Sequence, residues 1–344
     1  MLVFYLYILS SSNECNKLDY DSYRVISLEY TRKIISNEDI IVHSCTFDGL
    51  KALGSASDVN GMGGAIYYTS NTVSHVHLVG DMFSNCETTS SGGAVYVNMN
   101  SGSLKTRYLC AYKCFNGGIT STSAGQRGMF AFLSIAKYNP FLVEYVSISR
   151  CAHATYTTKN RYDTFYIYGG DETMKNLNSS NNYVFRYTGF TTTDSSTFSH
   201  MYGNYVNNVA RDQTCVLLQK STQTLQITLS NFISNNSPNN GGTIRSNIAD
   251  ISVSHCIFLN NANSLFSILS GDSYSVTNCW VYHSGTLGLA VTKRTSITQT
   301  FAFSHFSSYF CPANIPIRFI ACSHQAERST MKVFYVLIPA FLTG

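Results

Sequence analysis

The sequence predicts an all-β protein, a single-stranded right-handed parallel β-helix. Three observations lead there: two short phrases recur, the recurrences fall 23–29 residues apart, and apolar and polar residues alternate between them. Self-similarity at a spacing of roughly 20–50 residues marks stacked arrays, in which each repeat buries its apolar side against the next.

The first phrase is a double glycine, a small residue, then β-branched and aromatic residues. It is complete at Gly63-Gly64-Ala65-Ile66-Tyr67 and Gly92-Gly93-Ala94-Val95-Tyr96, with echoes at Gly117-Gly118-Ile119, Gly241-Gly242-Thr243-Ile244 and Gly285-Thr286-Leu287. A double glycine suits a corner where the chain needs positive φ or a close approach to its neighbour. The second phrase is a strand ending in an aromatic followed by Asn or Cys, as in Phe83-Ser84-Asn85-Cys86, Phe232-Ile233-Ser234-Asn235 and Phe258-Leu259-Asn260-Asn261. Asn tolerates the left-handed region, and its amide can stack in ladders along successive turns.

The unequal intervals exclude a heptad or a collagen period and fit one solenoid turn with variable loops. Gly63 to Gly92 is 29 residues, Phe232 to Phe258 is 26, and Cys256 to Cys279 is 23. Alternation puts Ile251 and Val253, with His255, on one face and Ser252, Ser254 and Cys256 on the other. Cys45, Cys110, Cys256 and Cys279 recur at one phase of the repeat, which predicts an inward column of small apolar thiols. A disulfide across adjacent rungs is the second reading.

Composition agrees. Charged residues are 12% of the chain, while Tyr (24) and Phe (21) are abundant and Pro (5) is scarce, which favours pleated, half-buried surfaces. Low charge suits a solenoid, because like charges in adjacent rungs would sit about 4.8 Å apart. The net charge of +4 comes with no Lys/Arg run, so the sequence carries no electrostatic footprint of nucleic-acid binding.

The expected organisation is a signal peptide at 1–12, a parallel β-helix over 25–310, an irregular cap over 311–330 and an apolar tail over 331–344. Leu2 to Leu9 is apolar and precedes Ser10-Ser11-Ser12, the layout of a secretory leader without its basic n-region; a buried first strand is the other reading. Val333 to Leu342 is apolar and follows Arg328 and Lys332, as at the start of a truncated membrane anchor. Cys311 and Cys322 flank an irregular Pro-Ala-Asn-Ile-Pro segment and are the best candidates for a bridge in the cap. The helix is expected to hold about 11–13 coils of about 22–29 residues.

The pairing of GGA[ILV], complete at Gly63 to Ile66 and Gly92 to Val95, with FxxN, complete at Phe232 to Asn235 and Phe258 to Asn261, resembles the repeat of chlamydial polymorphic membrane proteins and related trichomonad surface proteins. The resemblance covers about 45–120 and 225–300; the stretch 120–225 is degenerate and reads as long Ser/Thr/Tyr-rich loops. It implies a pectin-lyase-like β-helix with an adhesive, surface-exposed role.

Pectin-lyase-like enzymes cluster carboxylates on neighbouring coils, for calcium or as an acid/base pair. The nearest approach here is Asp163, Asp171 and Glu172, with Arg150 and Arg161 nearby, and these read as solvated loop charges. His75 and His77 lie two apart on one strand face and could form half a metal site, though surface or satisfied positions are commoner. The sequons Asn178-Ser179-Ser180 and Asn235-Asn236-Ser237 permit N-glycosylation in a secretory pathway.

The expectation is therefore a secreted or surface-displayed, non-catalytic protein for adhesion, binding or display, extracellular or at the cell surface. No catalytic residue, metal ligand or cofactor is assigned. Its expected partners are a host-cell surface or glycans, with contacts through the Tyr-rich loops of 140–210 and membrane anchoring through the C-terminal tail. The alternative is a polysaccharide-active lyase or hydrolase on the same scaffold, since fold alone does not settle function.

Overall fold

A computed structural model of the protein describes residues 24–26, 32–55, 59–117, 127–151, 163–210, 215–219, 223–236, 241–247, 250–262, 264–268, 273–282 and 287. Every strand pairing among them is parallel, and 23 strands join into one network. The chain is an all-β parallel β-helix. Among the described residues there is no α-helix, only a 3-10 turn at Val59–Gly61.

Three faces wrap the shaft. The first stacks Lys33–Ser36, the start of Ile66–Val79, the start of Val95–Tyr112, Ala131–Ile135, Phe165–Tyr168, Phe190–Thr193, Val216–Gln219, Ile244–Asn247 and Phe266–Ile268. The second runs from Arg24–Ile26 through Ile40–His43 and the later parts of the two long strands to Pro140–Ser149, Asp171–Ser180, Thr197–Met201, Leu225–Thr228, Ile251–Ser254 and Tyr274–Thr277. The third begins at Thr46–Asp48 and Met82–Ser84 and ends at Asn231–Ile233, Ile257–Leu259 and Trp280–Tyr282. Register partners in successive coils lie between 16 residues apart (Arg24 and Ile40) and 37 apart (Leu104 and Phe141). Coil length therefore varies more than the expected 22–29, because insertions are absorbed at the corners.

Within the region expected to be degenerate, 120–225, the described strands are regular. Strands between 163 and 210 pair in register with both neighbours, and Tyr166, Tyr187 and Tyr205 are buried in it. This segment keeps the alternation but lacks the double glycine, with Asp163 in the register position of Gly93.

Each recurrent phrase has a physical job. In the double glycine the first residue takes the left-handed conformation, with φ of +61° at Gly63 and +70° at Gly92. The second lets the next coil close in: a Cβ on Gly64 would lie 2.3 Å from the Gly93 carbonyl oxygen, and one on Gly93 would lie 1.8 Å from that of Met129. In the FxxN phrase the aromatic points into the shaft and stacks on its counterpart. Ring centroids are 5.1 Å apart for Phe47–Phe83, 4.8 Å for Tyr205–Phe232 and 4.9 Å for Phe232–Phe258.

After third-face strands one residue adopts a left-handed φ, near +50° at Asn85, Lys113, Arg150, Asn181, Asn207 and Asn260. The next residue turns back into the shaft. These inward positions read Leu50, Cys86, Cys114, Cys151, Asn182, Asn208, Asn235 and Asn261, and all but the half-buried Leu50 are buried. The lower half is a continuous amide ladder. The backbone N–H groups of Cys151, Asn182, Asn208 and Asn235 donate to the Oδ1 atoms of Asn182, Asn208, Asn235 and Asn261 at 2.9–3.1 Å. Each Nδ2 donates to a carbonyl of the preceding coil, for Asn208 that of Ser179 at 2.8 Å. Higher up, thiols replace amides: Cys86 and Cys114 donate to the Phe47 and Phe83 carbonyls at 3.6 and 3.5 Å.

The inward Cys column is present, with a correction to its phase. Cys45, Cys256 and Cys279 share the corner between the second and third faces, but Cys110 pairs with Met82 inside a strand, one position later. The left-handed residue explains the misreading. His255 (φ +54°) is an exposed corner, and it resets the alternation so that Cys256 turns inward beside Val253.

The signal peptide at 1–12, the cap over 311–330 with Cys311 and Cys322, and the tail over 331–344 lie outside the described residues. None of the described helices is long and apolar enough to cross a membrane.

Candidate functional site

The outer side of the first face carries an aromatic column. Ile34, Tyr67, Tyr96, Phe132 and Tyr166 occupy one outward position in five successive coils. Their rings stack at 5.3, 4.8 and 5.1 Å with interplanar angles of 7°, 9° and 24°. Ring faces are spent on one another, so half-buried Tyr67, Tyr96 and Phe132 show the outside their ring edges, while Tyr166 is buried. Ile34 is 56% exposed at one end, and Tyr67, Tyr96 and Phe132 are half-buried. Four rises of about 4.8 Å give the stripe a length of roughly 19 Å. Beside it runs a polar column of Ser36, Thr69, Asn98, Ser134 and Tyr168. In later coils the aromatic column gives way to Thr191, Leu217, Arg245 and Ser267.

The stripe ends at charge. The Arg127 guanidinium lies 4.3 Å from the Tyr166 ring centroid, a cation–π contact. Buried Asp163 accepts from the Thr191 hydroxyl. Burial pushes its carboxyl up to about 6, against the opposing pull of Arg127 and Arg186. Exposed tyrosines flank this end: Tyr138 is 74% and Tyr168 38% exposed, and the Tyr168 hydroxyl and Lys137 both bind Asp194, at 3.0 and 2.8 Å.

The acidic triad is not a solvated loop cluster. Asp163 sits at the edge of the first face, whereas Glu172 points into the shaft in register with Phe141 and Phe198. There it accepts from Thr192 at 2.7 Å and from Ser195 at 2.5 Å, and burial pushes its carboxyl up to about 8. Asp171 is half-exposed and accepts from Ser196. Arg150 lies on the third-face corner, and Arg161 is outside the described residues. The three carboxyls thus serve three different environments, which sequence proximity could not separate because strand register decides them.

His75 and His77 do share an outward face. His75 Nδ1 bonds Ser103 Oγ at 2.8 Å, and His77 is buried, with burial and then Lys105 depressing its ring to about 4. Among the described residues no group of three or more His, Cys, Asp or Glu could hold a metal. His200 lies in the shaft, its Nε2 2.8 Å from the Tyr205 hydroxyl, and burial holds its ring near 3. Asn178 and Asn235, the sequon residues, are both buried, and Asn235 belongs to the amide ladder; neither has room for a glycan in the folded chain.

Of the column, the sequence signalled Tyr67 and Tyr96 through the double-glycine phrase but gave no hint that Phe132 and Tyr166 continue it. Around Ile233, Ile257 and Leu259, each at most 7% exposed, the outer side of the third face is an apolar, buried patch. No family model matches the chain, and no curated protein and no solved structure matches it either.

Proposed function

We propose that the protein is a secreted or surface-displayed binding rod, non-catalytic, built on a pectin-lyase-like β-helix of the kind its repeats resemble in chlamydial polymorphic membrane proteins and trichomonad surface proteins. The observation that carries this reading is the outward column Ile34–Tyr67–Tyr96–Phe132–Tyr166. Thr191 and Ser267 fill the same position elsewhere, so the fold does not need aromatics there. Tyrosine gives large contact area at low entropic cost, and the neighbouring hydroxyl and amide column supplies hydrogen bonds. The contact surface moves accordingly from the loops of 140–210 to this stripe and the exposed Tyr138 and Tyr168. Residues 1–12 serve secretion and 331–344 membrane anchoring in this proposal, and the partner is a cell surface or its glycans.

The test is binding of purified protein to cells, comparing wild type with Tyr67→Thr/Tyr96→Thr. Loss of most binding with an unchanged unfolding transition supports the reading; unchanged binding removes the stripe from it. Asp163 favours one second reading, a polysaccharide-active enzyme, because a carboxyl near 6 beside an arginine suits proton transfer. Depolymerisation of an acidic polysaccharide that Asp163→Asn abolishes would establish that reading instead.

A further inference from the structure

Lys113 and Arg150 occupy the same left-handed corner in consecutive coils, with φ of +53° and +52°, and both are exposed. Each is a costly choice. Lysine and arginine resist the left-handed region that Asn accepts, and like charges in neighbouring rungs about 4.8 Å apart repel. Asn fills the equivalent corner in the flanking coils, as Asn85 and Asn181. Both cations nevertheless converge on one ring. Lys113 Nζ is 5.1 Å and Arg150 Cζ 5.9 Å from the Tyr112 centroid, and Arg150 Nη1 donates to the Tyr112 hydroxyl at 3.1 Å. That hydroxyl keeps its own proton to donate. Among the described residues neither cation has an ion-pair partner. The nearest acid in this column, Asp48, lies two coils away and is taken by Ser84 and Asn85.

The corner row continues as exposed or half-exposed Asn181, Asn207, Ser234 and Asn260, uncharged throughout. A row of three amides and one hydroxyl with one doubly charged spot does not suit nucleic acid, which needs an extended basic track. We propose that this row binds an acidic glycan, with Lys113, Arg150 and the Tyr112 hydroxyl holding a sulfate or carboxylate group and the Asn side chains meeting sugar hydroxyls. The proposal rests on the binding-rod reading and names its partner class and a second contact line.

The experiment titrates the purified full-length protein with three probes: a heparin-derived octasaccharide, an oligogalacturonate and a neutral cello-oligosaccharide. The variant Lys113→Asn/Arg150→Asn keeps the side chain that the flanking corners already carry, so it folds. At least tenfold weaker binding of one or both acidic probes by the variant is expected, and which probe responds separates sulfate from carboxylate recognition. Equal affinity of wild type and variant for the acidic probes, or no wild-type preference for them over the neutral one, overturns the proposal. If Tyr67→Thr/Tyr96→Thr abolishes cell binding while the corner variant changes nothing, the binding-rod reading stands and this site falls. If wild type binds acidic probes through the corner but no cells, the site stands and the cell-binding reading falls.

Discussion

Asn182 and Asn208 occupy the same corner in successive coils, and the backbone N–H of Asn182 donates to Asn208 Oδ1 at 2.9 Å. Both are buried. The same amide group also donates to the Ser179 carbonyl, so one side chain satisfies a donor and an acceptor that no water reaches.

Asn208→Ala therefore strands the buried Asn182 N–H and removes the side-chain donor to the Ser179 carbonyl, which keeps its place in the strand ladder. At about 1–3 kcal/mol for an unsatisfied buried group, the loss should be about 1–3 kcal/mol by denaturant unfolding. Asn208→Cys should cost less, because a thiol in this column can still donate to the carbonyl of the preceding coil, as Cys114 does. A loss under about 0.5 kcal/mol for Asn208→Ala would mean the ladder does not hold the coils together.

Gly93 and Gly49 separate close approach from backbone conformation. Gly93→Ala drives a Cβ into the Met129 carbonyl and should cost more than about 3 kcal/mol or abolish folding. Gly49 has φ of +68°, and a Cβ there would meet nothing within 4 Å. Gly49→Asn, matching Asn85 in the same row, should stay within about 1 kcal/mol of wild type. Equal effects at the two positions would contradict the coil spacing.

Stability should depend on pH through the shaft. Glu172 rises from 4.5 to about 8 on folding, so between those values the folded chain holds a proton that the unfolded chain does not, and stability falls as pH rises. His200 and His77, depressed to about 3 and about 4, act oppositely below 6.5, where stability falls as pH falls. Asp163, raised to about 6, acts in the same direction as Glu172 but is finished by then. The window from about 6.5 to 8 thus isolates Glu172. Wild type should lose on the order of 1–2 kcal/mol across it, and Glu172→Gln should be flat there. A wild type equally flat would place Glu172 in water.

The thiols of Cys86, Cys114, Cys215 and Cys256 are buried, and burial raises each of them, with a Cys114 hydrogen bond the larger cause at Cys86. Because the thiolate is the nucleophile, these four should resist alkylation in the folded chain and react on unfolding. Mass mapping after brief iodoacetamide treatment checks this; rapid native labelling would contradict a packed thiol column.

What was legible in the sequence follows from what is local. Gly63-Gly64 and Phe232 to Asn235 announced themselves because a corner and a strand end impose fixed residue types within a few positions. The inward turn of Cys256 was not legible, since one left-handed residue, His255, reverses the alternation on which the reading relied. Nor could the sequence separate Asp163 from Glu172, because their surroundings are set by partners 20 to 28 residues away. The contact of Arg150 with Tyr112, 38 residues apart, lies beyond any spacing rule when coil length itself varies.

Whether the β-helix is displayed outside the cell, as proposed, is tested most directly by locating an epitope-tagged full-length chain in the cells that naturally express it. Tag signal on intact, non-permeabilised cells or in the medium is expected. Signal that appears only after permeabilisation would contradict display and leave the β-helix without an extracellular partner.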